Sequence, residues 1–333
     1  MKNEFPSLPF VSKPMGISNE DYHNGEQYKE FISSTVLKQI AHSPLWLKYS
    51  QEHPEDIEPT KEWKLRGGCY HAMLSSIVNT GGLDEFEKST AIFDAPVNPS
   101  TGSPYGNTTN KYVEAFNDFA GQNEGKEIYS QKDVNLATQM VEVLRYKNHH
   151  LSPMINKIIK YGQAEVSCFI EHKANDLIQA EHGKFKWRKD VTTSNKIVDW
   201  KSVKMHEQNP NQFARVIIDR AYDFSAAFYQ YFEWMLTGKW KTFYWVAQTF
   251  EPPYDFNIIT ANNWAFNVEN GKVLGYGQGA LRFLKSLEQY LYCLEKDEFH
   301  GVSLFTKPDY LNQRIAVSPS PGYYKSQIFE FFN

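Results

Sequence analysis

Ala164-Glu165-Val166-Ser167-Cys168-Phe169-Ile170-Glu171-His172, then Gly183-Lys184-Phe185-Lys186-Trp187-Arg188-Lys189-Asp190, then Asn195-Lys196-Ile197-Val198-Asp199-Trp200-Lys201-Ser202, is the stretch that decides the fold of this chain. It reads as three short strands. Side chains along a strand alternate between faces, so Asp199 and Lys201 share one face while Val198 and Trp200 point the other way, into a core. Val191–Lys196 carries Thr192-Thr193-Ser194-Asn195 and reads as a polar turn back, and a hairpin here sets Asp190 beside Asp199. Glu165 arrives at the same place on the first strand. Two acids and a lysine on one edge suit a hard divalent cation held through oxygen, with an activated water beside it. The lysine would orient that water or steady the charge of a phosphate. Asp-x-Lys also arises by chance, and surface strands often alternate acid and base. The weight of the reading therefore rests on the rest of the chain.

Upstream, Thr35–Ile40 after Ser33-Ser34 reads as a capped helix, broken near Ser43-Pro44 and resumed through Tyr49. Pro54–Pro59 is an acidic turn. Trp63, Leu65, Tyr70, Met73, Leu74 and Ile77 recur at helical spacing over Lys61–Val78. Gly67-Gly68 inside that helix marks a start or a close approach of another backbone, and His71 follows. Residues 80–128 are long and weakly periodic, with Pro96–Asn107 at their centre. A loop of that length is functional or disordered, though Tyr105, Tyr112, Phe116 and Phe119 suggest partial docking on the body. Helices are predicted over 131–149, over Pro153–Tyr161 ending at Gly162, over Asn211–Trp234 and over Gln278–Leu294. Strands are predicted over Thr242–Phe250 and Tyr254–Thr260, with Pro252-Pro253 turning between them. The layout is mixed α/β, a central mixed sheet flanked by helices.

Composition bounds the function. The 333 residues suffice for one large or two ordinary domains, and 41% hydrophobic with 22% charged is ordinary for a globular protein. The net charge of −4 lacks the basic balance common among nucleic-acid binders, although a local groove and bound metal ions can supply the field. Three scattered cysteines, Cys69, Cys168 and Cys293, make neither a disulfide framework nor a four-cysteine iron–sulfur site. Reduced thiols, no apolar run of signal-peptide type and no membrane-length window predict a cytoplasmic protein without a membrane partner. Neither Gly-x-x-x-x-Gly-Lys-Ser/Thr nor Gly-x-Gly-x-x-Gly occurs, so ATPase and dinucleotide chemistry lack sequence support.

Several elements now fall into one order. Gly67-Gly68-Cys69-Tyr70-His71 resembles the Gly-x-x-x-His helix of the RecB-like branch of PD-(D/E)XK nucleases. Gly162-Gln163-Ala164-Glu165 resembles its Gly-x-x-Glu motif, Arg188-Lys189-Asp190 its Arg-Pro-Asp strand end, and Asp199-Trp200-Lys201 its Asp-x-Lys strand. Tyr222–Tyr229 resembles its Gln-x-x-x-Tyr helix, with Ser225 in place of the glutamine and Tyr229 retained. The chain is similar throughout to RecE-type, exodeoxyribonuclease VIII-like exonucleases, which are frequent in phages and prophages. The similarity runs from Ile32–Tyr49 through Arg66–Leu74, the Pro96–Thr109 loop and the three strands to Glu251–Tyr254.

Residues 1–30, polar with scattered Pro and Asn, read as an extended leader, and 307–333, with scattered prolines and an aromatic end, as a tail. The resemblance implies a nuclease domain over 31–306, in which the weakly periodic stretch near 80–128 is a long loop insertion. It implies a 5′→3′ exonuclease on linear double-stranded DNA, leaving a 3′ single strand for a strand-annealing protein. A homo-oligomer, ring-shaped in some members, would work in the cytoplasm of the cell, the host's if phage-encoded. Asp190 and Asp199 would bind Mg²⁺, with the Trp200 backbone carbonyl and His71 as further ligands; the histidine leaves room for Mn²⁺. Glu165 would bind a second metal or position the water, and Lys201 would activate it. Tyr229 and Ser225 would orient the scissile phosphate, and Arg188, Lys186, Lys204 and Arg215 are candidate phosphate contacts. Gln230 is a candidate to compensate for Ser225. Two alternatives stay open: a structure-specific or partner-dependent endonuclease of the same fold, and a non-catalytic DNA-end binding protein.

Overall fold

The computed structural model of the chain describes residues 17–299 apart from 42 and 54–61. The expected Pro54–Pro59 turn and the 307–333 tail lie outside the described residues. The first part is helical: α1 (Asn19–Asn24), a 3-10 turn (Glu26–Tyr28), α2 (Ser34–Ile40), α3 (Pro44–Glu52) and α4 (Glu62–Thr80). Ser43 Oγ accepts the Trp46 N–H and Pro44 opens the next helix, so the expected break between α2 and α3 is a built N-cap.

The 80–128 stretch carries regular structure that its weak periodicity hid. α5 (Asp84–Ser89) leads into β1 (Thr90–Phe93), and α6 (Asn110–Gln122) crosses over to β2 (Glu127–Ser130), which pairs parallel with β1. The aromatics expected to dock do so locally, with Tyr112, Phe116 and Phe119 around Phe93. Only the middle of the stretch is loop. Then follow α7 (Gln131–Arg145) and α8 (Ser152–Tyr161).

The three strands are as the alternation predicts: β3 (Gln163–Glu171), β4 (Lys184–Thr192) and β5 (Lys196–Val203). The helix expected over Asn211–Trp234 is two, α9 (Pro210–Asp219) and α10 (Tyr222–Thr237). Ala221 between them is left-handed, φ 48°; the apolar stripe runs through this corner with no glycine or proline to mark it. β6 (Thr242–Thr249) and β7 (Phe256–Thr260) follow. A hairpin that pattern reading passed over, β8 (Phe266–Glu269) and β9 (Lys272–Tyr276), precedes α11 (Gln278–Lys296).

One five-stranded sheet, order β3-β4-β5-β6-β7, organises the whole. Only the β5–β6 pair is parallel, and α9 and α10 form its crossover. On one face Val191, Val198, Trp200 and Val246 pack beneath α4, α7 and α8. On the other, Phe185, Trp187, Ile197 and Trp245 pack beneath α2, α10 and α11. Val198 and Trp200 thus enter a core, as their alternation requires. The three cysteines are buried and unpaired. Among the described residues no helix is long and apolar enough to cross a membrane.

Candidate metal centre

The sheet forks where its acids lie. The β4–β5 ladder stops at Val191–Val198, one position short of Asp190 and Asp199. Beyond it, the Trp200 N–H that would continue the ladder donates to Asp190 Oδ2 at 2.8 Å. N–H and C=O of one strand residue face the same edge, so the Trp200 carbonyl also faces the fork. On the other side of β4, ladder pairs run Ala164–Val191 and Val166–Lys189 and skip Glu165 and Asp190, which face each other. Glu165 is left-handed there, φ 53°, a conformation that costs a non-glycine residue about 1–2 kcal/mol.

α4 brings the third group. Tyr70 donates to Gln248 Oε1 of β6 at 2.5 Å, and Asn79 Oδ1 accepts the Ala164 N–H at 2.9 Å, clamping the helix over the start of β3. His71 then stands 3.5 Å from Asp190, Nδ1 to Oδ2. Ligand atoms of His71, Glu165 and Asp190 lie within 4.8 Å of one another. Asp199 is turned instead to Lys201, 2.7 Å from its ammonium. The expected set thus meets at one place, but as a histidine–carboxylate trio beside an aspartate–lysine pair.

The electrostatics follow from the crowding. Desolvation and the Asp190 charge push Glu165 up to about 8. Desolvation, offset in part by Lys201, pushes Asp199 up to about 6. Burial opposes the charge of Lys201, yet Asp199 and Asp190 hold it above the ordinary lysine value, so the ammonium keeps its proton. Its Nζ lies 4.9 Å from the centre of the Tyr222 ring. Tyr229, half-buried on α10, is held protonated by burial and by the charges of Asp199, Asp190 and Glu165.

The candidate phosphate contacts divide. Lys204 and Arg215 are exposed. Lys186 is buried, and its ammonium donates to the carbonyls of Tyr22 (2.8 Å) and Tyr28 (3.4 Å), so it faces its own chain and not an open groove. Arg188 donates to the Ile17 and Ser18 carbonyls and pairs with Glu165. Ser225 Oγ lies 3.2 Å from Ser34 Oγ of α2. Gln230 does not compensate for it: the side chain is fully buried, tied to the Lys241 carbonyl and to both backbone groups of Phe266. Sequence reasoning missed Tyr222, although it sits in the quoted α10 motif. It also missed Lys38 of α2, which burial and nearby Lys201 push down to about 8.

No family model matches the sequence, and no curated protein matches it. The fold does have a solved counterpart. Over 94% of this chain and 98% of the other, it aligns with the crystal structure of a putative exonuclease from Eubacterium rectale, at TM-score 0.50 and 17% identity. The two chains share one fold, a mixed five-stranded sheet flanked by helices. Within that fold, the forked edge of the sheet is where His71, Glu165, Asp190, Asp199 and Lys201 converge.

Proposed function

We propose that this protein is a metal-dependent deoxyribonuclease, a 5′→3′ exonuclease on linear double-stranded DNA that leaves 3′ single strands for a strand-annealing partner. One observation carries the hydrolytic reading: ligand atoms of His71, Glu165 and Asp190 within 4.8 Å of one another, beside the buried Asp199–Lys201 pair. The donor set fits a divalent cation, two carboxylate oxygens for Mg²⁺ and an imidazole nitrogen that also suits Mn²⁺. Asp199 and the Trp200 carbonyl stand at hand to complete it. When bound, the cation supplies an activated water and neutralises charge on the phosphodiester.

The chain's own residues do the rest. Lys201 presents a permanent positive charge to a phosphate oxygen, and Asp199 fixes its direction. The Trp200 N–H holds Asp190 in the orientation it needs. Tyr229 donates its proton-bearing hydroxyl toward the phosphate, with Ser225 one turn away. Lys204 and Arg215 contact the DNA backbone. DNA as substrate, the direction, the annealing partner and a ring-shaped homo-oligomer are supported by the motif order alone.

The test is end-labelled linear duplex with Mg²⁺, wild type against Lys201→Ala. Wild type should release nucleotides from 5′ ends and spare closed circles, and Lys201→Ala should lose about a hundred- to a thousand-fold in rate while still folded. Nicking of circles would make the protein an endonuclease. End binding without cleavage in Mg²⁺ and Mn²⁺ would make it a binder.

A further inference from the structure

Residues 17–28 precede every element of the sheet, yet they lie against β3 and β4 beside Glu165. Tyr22 is buried. Lys186 and Arg188 of β4 both reach it, the ammonium 5.1 Å and the guanidinium 4.6 Å from its ring centre. The Lys186 ammonium donates to the Tyr22 and Tyr28 carbonyls. Tyr28 stacks on Phe169 of β3 at 4.3 Å between ring centres. Downstream, the Ile32 N–H donates to the Lys184 carbonyl and the Ile32 carbonyl accepts the Lys186 N–H, extending the contact as a bridge along β4.

Arg188 joins this strap to the site. Its Nη2 donates to the Ile17 carbonyl at 2.9 Å and the Ser18 carbonyl at 3.2 Å. Its Nε donates to Ser167 Oγ at 2.8 Å, and its Nη1 lies 3.7 Å from Glu165 Oε2. One planar fork therefore touches the strap, β3 and the acid at once, with only 11% of the side chain exposed. Glu165 most needs such a support, because its left-handed backbone removes it from the ladder that would otherwise fix it.

We infer that Arg188 is a positioning residue for Glu165, and that the N-terminal strap, residues 17–28, is a working part of the metal centre that holds Arg188 in place. The inference rests on the reading of Glu165 as a metal ligand. A lysine cannot replace Arg188 in this role, since a point charge cannot bridge three partners in one plane. Groups that orient a ligand from behind typically change metal affinity about ten- to a hundred-fold when removed. The coupling also runs backwards: a cation that favours the placed Glu165 must favour the docked strap.

The experiment uses the full chain, stripped of metal, with Mn²⁺ as the probe. Calorimetric titration compares wild type with Tyr22→Ala, which loosens the strap without changing charge at the site, and with Arg188→Lys, which keeps the charge and loses the fork. Melting curves verify that each variant is folded. Both variants should bind Mn²⁺ about ten-fold more weakly. Hydrogen exchange over residues 17–28 should slow when Mn²⁺ is added to wild type, and the slowing should vanish in Arg188→Lys. If wild type binds Mn²⁺ and folded variants bind it within two-fold with strap exchange insensitive to metal, the strap is a packing element only. If wild type binds no Mn²⁺ or Mg²⁺, it is the reading of the site itself that fails.

Discussion

Lys189 stands where the resembled motif has proline, and its side chain shows what the lysine does there. It crosses to α10 and pairs with Glu233, which also pairs with Lys241 at 2.7 Å; Lys241 in turn donates to Thr192 Oγ1. Side-chain exposures of 3%, 2% and 10% place all three charges out of water. Two cations on one buried carboxylate tie β4, α10 and the residue just before β6 together next to Asp190. Removing the shared anion leaves both ammonium groups unpaired in the core, so Glu233→Ala should destabilise the fold by about 3–5 kcal/mol. Urea denaturation followed by fluorescence of the buried Trp187, Trp200 and Trp245 measures this; a midpoint equal to wild type would contradict it. At the same scale, the loss of Lys201 should remove cleavage, and because Lys201 and Asp199 keep 23% and 13% side-chain exposure, it should lower that midpoint less than Glu233→Ala does.

At the scale of elements, the placement of Glu165 begins with Gly162. α8 ends there and β3 starts one residue later. A Cβ at 162 would lie 2.5 Å from the Ile158 carbonyl oxygen and 2.6 Å from a Val191 methyl, so helix and strand can meet this closely only without one. Gly162→Ala should push α8 off β4 and cost about 1–3 kcal/mol by overpacking. Because Glu165 lies three residues on, Mn²⁺ binding should weaken in the same variant. Calorimetric melting and metal titration of one preparation give both numbers, and unchanged values in both would refute the account. The Gly67-Gly68 pair behaves differently. It lies inside α4, so it marks no helix start, and among the described residues no other backbone approaches it: a Cβ at Gly68 would meet the Tyr129 hydroxyl at an ordinary 3.5 Å.

For the whole molecule, the fork makes stability depend on pH and on metal together. Glu165 is pushed up to about 8 and Asp199 to about 6, both above the ordinary carboxylate range. A carboxyl whose pKa is raised by folding stabilises the protein fully at acid pH, and that stability is lost as pH rises through the folded-state value. Without metal, stability therefore falls as pH rises above the ordinary carboxylate range, through Asp199 up to about pH 6 and through Glu165 up to about pH 8. A bound cation needs them ionised and binds the native state alone. Added Mg²⁺ should therefore raise Tm more at pH 8 than at pH 6, as read by differential scanning calorimetry. Equal shifts at both values would mean that the acids do not hold the cation. Glu165→Gln should remove most of the difference between the two pH values.

Local rules alone determined a good part of this protein. Alternation put Asp199 and Lys201 on one face and sent Val198 and Trp200 into the core, because a strand has a two-residue period whatever surrounds it. The polar turn after Asp190 set the hairpin, and the hairpin set the register that leads to Asp199. Only the tertiary structure decided that the ladder opens at that register, with Asp190 caught by the Trp200 N–H and Asp199 by Lys201. Spacing could nominate His71, but its approach to Asp190 depends on α4 being clamped by Gln248 and Ala164, residues far along the chain. Lys186 and Arg188 are the clearest case. Their sequence shows two cations on a strand; what covers that strand is a segment more than a hundred residues earlier, and periodicity carries no record of contacts at that distance.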